Sequence, residues 1–135
     1  MKKIKTIIAF MTMMVLVECD YAKLPNIQFT LYISNQSLAI DPVDIQVELD
    51  GIRVVSDNFY IGSAHTFVPF ELSLDKGMHK IDIWTVRGDA ELSTEFELID
   101  HDTGVIMYWY HPNSYFNSTP PKFDFLTQKG PPAID

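Results

Sequence analysis

Val43-Asp44-Ile45-Gln46-Val47-Glu48-Leu49-Asp50-Gly51 is the stretch that decides the fold. Apolar residues stand at 43, 45, 47 and 49, with Asp, Gln and Glu between them. A period of two sends one row of side chains into a core and the other into water, which is the pattern of a half-buried β-strand. Asp50-Gly51 then closes the run. An Asp-Gly pair between apolar runs marks a two-residue hairpin, because a type I′ turn needs positive φ at both central positions.

The same alternation extends in both directions. Ile27, Phe29, Leu31 and Ile33 alternate with Gln28, Thr30, Tyr32 and Ser34. Val68, Phe70, Leu72 and Leu74 follow, then Ile81 and Ile83, then Leu92, Phe96 and Leu98 set against Glu91, Glu95 and Glu97. No comparable stretch carries the 3.6-residue period of a helix. Asp75-Lys76-Gly77, Arg87-Gly88-Asp89 and Asp102-Thr103-Gly104 read as further reversals, and Pro69 assigns its run to a sheet edge or bulge because it donates no ladder hydrogen bond. Seven to eight strands in about 100 residues predict an all-β fold, a two-sheet antiparallel immunoglobulin-like β-sandwich over residues 27–128. The Cys…Trp…Cys pattern of antibody domains is absent, so only the architecture is expected to carry over. Residues 129–135 read as a flexible tail.

The chain of 135 residues fits one domain, and 47% hydrophobic with 21% charged residues is a globular composition rather than a disordered one. A net charge of −8 argues against nucleic acid, whose binding requires a basic footprint. One cysteine excludes a disulfide within the chain.

That cysteine sits in a leader. Lys2, Lys3 and Lys5 precede the apolar run Ile7–Val17, which is too short to span a bilayer at about 20 residues. Residues 1–18 therefore read as a secretory signal and 19–26 as a tether. Leu16-Val17-Glu18-Cys19 resembles the lipobox of bacterial lipoproteins, which implies acylation of Cys19; Glu18 departs from the small residue that precedes the cysteine in that pattern. Without residues 1–18 the balance is 7 basic to 17 acidic side chains, a net charge of −10. Membrane attachment is thus expected through an N-terminal lipid rather than a basic patch. The expected address is the cell envelope, on the outer membrane, facing the periplasm or the surface.

A broader resemblance rests on Asp44–Gly51, on Leu72-Ser73-Leu74-Asp75-Lys76-Gly77-Met78-His79-Lys80-Ile81 and on Met107-Tyr108-Trp109-Tyr110. These segments look like those of small lipoproteins of Bacteroidetes-type bacteria, over roughly residues 27–126. The resemblance implies an envelope setting and no mechanism.

Catalytic and metal chemistry find little support. His65, His79, His101 and His111 do not stand at zinc-motif spacing. His79 shares the parity of Ile81 and Ile83 and is expected to point inward and hydrogen-bond the neighbouring turn. Asp41, Asp44, Asp50, Asp57, Asp100 and Asp102 are the candidate calcium oxygens, but no D-x-[DN]-x-[DN]-G loop occurs. Ser63-Ala64-His65 lacks the strand-to-helix elbow of hydrolases, and the isolated glycines make no phosphate loop. Asn35-Gln36-Ser37 matches a glycosylation sequon, which carries no force behind a bacterial signal. No enzyme, cofactor or metal is expected.

Seven of the 17 aromatic residues lie between Ile106 and Phe125. In Val105-Ile106-Met107-Tyr108-Trp109-Tyr110 both parities are apolar, so one face is expected in the core and the other either under Phe123 and Phe125 or open to a ligand. If Val105 faces the core, so does Trp109. Tyr108, Trp109, Tyr110, Tyr115 and Phe116 are the candidate ligand-binding aromatics, since aromatic faces stack on sugars and anchor protein partners. The function expected is a non-catalytic envelope lipoprotein, a small interaction or structural module with a protein or glycan partner. The alternative is a carbohydrate-binding module using segment 108–125.

Overall fold

A computed structural model of the chain describes residues 26–62, 66–113 and 117–133. These form β1 (Asn26–Asn35), β2 (Val43–Leu49), β3 (Ile52–Phe59), β4 (Val68–Asp75), β5 (Gly77–Thr85), β6 (Ala90–Leu98), β7 (Thr103–His111) and β8 (Thr119–Gln128). Two four-stranded sheets result, ordered β4-β1-β7-β8 and β3-β2-β5-β6. The protein is an all-β, two-sheet sandwich. Its likeness to immunoglobulin domains is one of architecture, because the strand order differs from the ABED/CFG arrangement of antibody domains.

One pairing departs from the antiparallel expectation. β1 lies between β4 and β7, antiparallel to the first and parallel to the second, with Thr30 opposite Thr103 and Ser34 opposite Met107. Alternation assigns a face to each residue but not a partner to each strand.

The 50–51 turn forms as its residues require. Asp50 has φ 52° and Gly51 φ 80°, and Leu49 pairs with Ile52 across the two-residue loop. Phe29, Leu31 and Ile33 of β1 meet Val43, Ile45 and Val47 of β2, Ile81 and Ile83 of β5 and Ile106 and Tyr108 of β7 in one buried core. Each fully buried side chain of this size contributes roughly 1.5–3 kcal/mol. Pro69 lies on β4 and Pro120 and Pro121 on β8, the two edges of one sheet, where missing N–H groups discourage pairing with another chain; the β7–β8 register shifts opposite the two consecutive prolines, between Trp109 and His111.

One expectation is corrected. Asp102-Thr103-Gly104 is not a turn. Thr103 and Gly104 open β7 and are buried, and a Cβ on Gly104 would fall 2.7 Å from Cζ of Phe29. The Gly130 N–H donates to Asp102 Oδ1 at 2.8 Å, and Pro132 and Ala133 turn back over the outer face of the β1 sheet.

Every strand reverses the direction of the one before it. The near end of the sandwich therefore carries Asn26, the 50–51 turn, Lys76, loop 99–102 and residues 129–133. Among the described residues, the far end carries loop 36–42, the 86–89 turn, residues 60–62 after β3, residues 66–67 before β4, and residues 112–113 and 117–118 between β7 and β8. This polarity positions the candidate site.

Candidate functional site

Among the described residues, Tyr108, Trp109 and Tyr110 do not share one exposed aromatic face. Tyr108 is fully buried, and its ring lies 5.4 Å from that of Phe123 inside the core. Phe123 and Phe125 pair with Tyr108 and Ile106, beside them on the core face rather than over them. Tyr110 is half-buried against the same core. Val105 is buried, yet on the opposite face, where Met107, Trp109, Leu126, Phe67 and Pro132 line a groove of about 280 Å³. Trp109 is thus outside the core, with its Nε1 buried and without a hydrogen-bond acceptor. Parity was undecided here because the returning C-terminal segment makes an outer face apolar. Tyr115, Phe116, Ser63-Ala64-His65, the signal, Cys19 and the tether up to residue 25 lie outside the described residues.

The far-end loops are tied together by side chains that reach backbone groups. Asn35, buried at the end of β1, donates from Nδ2 to the carbonyls of Ile40 (2.8 Å) and Phe59 (3.0 Å). Its Oδ1 accepts from the Ser37 N–H at 3.0 Å, an Asx-turn within the sequon-like triplet. The Ile61 N–H donates to Asp41 Oδ1, joining loop 36–42 to the residues after β3. Asp44, on the outer face of β2, accepts from the Thr85 hydroxyl (2.8 Å) and from the Arg87 (2.9 Å) and Val86 (3.2 Å) N–H groups. Partial burial pushes the Asp44 carboxyl up, but these donors outweigh it and hold it below the usual carboxylate range. Arg87 Nη1 reaches the Pro42 carbonyl, and His111 Nε2 donates to that of Gln36 at 2.8 Å. Loop 36–42 is the hub to which Ile61, Arg87 and the end of β7 are fastened.

Apolar tips stand out from this framework. Leu38 is 74% exposed, Tyr60 67% and Val86 81%. Loops held by internal hydrogen bonds lose little conformational entropy when a partner docks, and exposed apolar tips on them supply contact area.

At the near end the structure satisfies the expectation for His79. Its Nδ1 lies 2.6 Å from Asp50 Oδ2 and its Nε2 2.7 Å from the Asp75 carbonyl oxygen. Both partners are acceptors, so both ring nitrogens donate and the bound form is the imidazolium. Burial pushes its pKa down, but the Asp50 hydrogen bond and the Asp75 carbonyl, with the charge of Asp50, carry it above the ordinary histidine value. The aspartates read as calcium oxygens serve mostly as backbone clamps in the same way: Asp41, Asp44, Asp50 and Asp102 all accept N–H bonds from another segment. Among the described residues no three His, Cys, Asp or Glu side chains gather to hold a metal ion.

Sequence reasoning passed over Trp84. It stands on the outer face of β5, between Lys80 and Asp82 on one side and the 86–89 turn on the other. The signal was present: a tryptophan on the polar parity of a strand whose inward row is His79, Ile81 and Ile83. No family model matches the chain, and no curated protein matches it at significance.

Proposed function

We propose that this chain is a non-catalytic module of the cell envelope, carried by a lipid on Cys19, that binds a protein partner through its far-end loops. The observation that carries the reading is the placing of Leu38, Tyr60 and Val86 on loops fastened to one another by hydrogen bonds, whereas the near-end apolar side chains Ile52, Met78 and Ile99 stand beside separate turns. The described chain enters at Asn26, at the opposite end from Leu38, Tyr60 and Val86. A tether from Cys19 to Asn26 spans at most about 25 Å, and a ten-residue strand such as β1 adds about 33 Å beyond it. An anchor at that position directs the apolar tips away from the membrane that holds it. Acyl chains contribute about 0.8 kcal/mol per buried methylene, so more than one chain gives stable attachment.

The test has two parts. Cys19→Ser is expected to move the protein from the membrane fraction to the soluble one; unchanged fractionation overturns the anchor. A photo-crosslinker at Val86 is expected to capture a discrete protein in cells, lost with Leu38→Asp, while one at Glu95 captures none. Equal labelling from both positions overturns the far-end interface.

A further inference from the structure

We infer that the outer face of the β2 sheet binds a neutral oligosaccharide, with Trp84 as the stacking wall and Asp82, Glu91 and Ser93 as the hydroxyl-binding rim. Trp84 lies opposite Gln46 of β2 on one side and Glu91 of β6 on the other. Arg53 comes across from β3 and places its guanidinium 4.6 Å from the indole centroid. Its position is fixed by Gln46 Oε1 at 2.9 Å and Glu48 Oε1 at 3.1 Å. The indole is therefore braced from the β3 side before any ligand arrives.

The open side belongs to β5 and β6. A cleft of about 380 Å³ is lined there by Asp82, Trp84, Glu91, Leu92 and Ser93. That volume falls within the range of about 300–1,000 Å³ found for small-molecule sites. A second depression of about 470 Å³ adjoins it at Trp84 and Glu91 and continues past Thr85, Asp89 and Ala90. Together they run along the strands with the indole between them. A run of that shape suits a chain of sugar rings rather than a single compact molecule.

The chemistry selects the class of ligand. A pyranose presents an apolar C–H face, which packs on an aromatic ring, and a rim of hydroxyls, which donate to carboxylates. Trp84 supplies the face, and Glu91 with the Asp82–Ser93 pair, in which the Ser93 hydroxyl donates to Asp82 Oδ1, supplies the acceptors. Anionic ligands are disfavoured by the carboxylates. A cationic peptide is the competing partner, since tryptophan and carboxylates also attract ammonium and guanidinium groups. Here part of that demand is met within the chain: Arg53 stacks on the indole and pairs with Glu48, and Lys80 Nζ lies 3.4 Å from Asp82. Glu91 is the carboxylate left open beside Trp84, where it accepts from a ligand hydroxyl while the indole face, already holding one cation, packs on the apolar face of a sugar ring. The wall and rim, Asp82, Trp84, Glu91 and Ser93, share no residue with the far-end loops, the second depression reaches only Asp89 of the 86–89 turn, and neither depends on Cys19.

The full chain is titrated calorimetrically with neutral hexasaccharides of β-1,4-glucan, β-1,4-mannan and β-1,4-xylan, a galacturonic acid hexamer, and hexalysine. At least one neutral hexasaccharide is expected to bind, with affinity reduced about tenfold or more in Trp84→Ala and unchanged in Trp109→Ala. Glu91→Ala, at an exposed position on an edge strand, is the second variant and is expected to weaken the same ligand. Binding of hexalysine alone, of the acidic hexamer alone, or of none of these probes overturns the inference. So does sugar binding that survives both substitutions.

Discussion

Tyr108 and Gly88 hold the core to the 86–89 turn from both sides of one contact. The phenol donates to the Gly88 carbonyl at 2.8 Å, and a Cβ on Gly88 would fall 2.8 Å from Cζ and Oη of the same ring. The bond forms only because residue 88 has no side chain. Gly88→Ala must displace the Tyr108 ring or the Thr85 methyl, itself 2.7 Å from that Cβ. Overpacking of this kind costs about 1–3 kcal/mol. Tyr108→Phe leaves the carbonyl unpaired and costs about 1–3 kcal/mol, whereas Tyr108→Ala costs about 3–5 kcal/mol by opening a cavity. Denaturant midpoints should rank the alanine substitution at 108 lowest. Burial, with the charges of Tyr110, Asp89 and Asp44, pushes the Tyr108 phenol up to about 12, so it should be among the last tyrosines to ionise in an alkaline absorbance titration.

His79 makes stability fall on the alkaline side. Its pKa is raised from 6.5 in the folded protein, so the folded state binds the proton more tightly than the unfolded chain. The contribution is complete below about 6.5 and is lost as pH rises through the folded value. Unfolding free energy measured by urea from pH 6 to 9 should decline, and His79→Gln should flatten that decline. A slope unchanged in the variant would assign the dependence elsewhere.

Asn35 should be hard to replace. Asn35→Asp keeps the acceptor for Ser37 and loses both donors, leaving the Ile40 and Phe59 carbonyls without them. A loss of about 1–3 kcal/mol is expected, with faster amide exchange across residues 36–42. Protection factors equal to wild type would show that the knot lies elsewhere.

Trp109 should behave in the opposite way to Tyr108. Its Nε1 has no acceptor, so Trp109→Phe removes no hydrogen bond. The denaturation midpoint is expected to stay within about 1 kcal/mol of wild type, well above that of Tyr108→Ala. Equal losses would place both residues in the core.

Residues with one wet neighbour row were readable in the sequence, and residues with two dry ones were not. Val43 to Gly51 specified a strand, a face and a turn type, because polar residues at 44, 46 and 48 leave only one way to fold. His79 was readable for the same reason, from its parity with Ile81 and Ile83. In β7 both rows are apolar, and the face was decided by residues 132 and 133, which return from far along the chain. The partner of β1 was equally hidden, since period-two patterning carries no information about which strand lies alongside. Trp84 is isolated in the sequence and acquires Arg53, Gln46 and Glu91 as neighbours only across the sheet.

The parallel seam between β1 and β7 also governs when the protein can fold. The first strand occupies the middle of its sheet and waits for a partner that begins only at Thr103. Closing so long a loop must precede any gain from the contact, which slows folding in proteins of this topology. A chain synthesised only as far as residue 102 has half of β1 bare and no Tyr108 for its core. The β1 sheet therefore closes only after the last hairpin has been made, whereas every strand of the other sheet has been synthesised by Leu98.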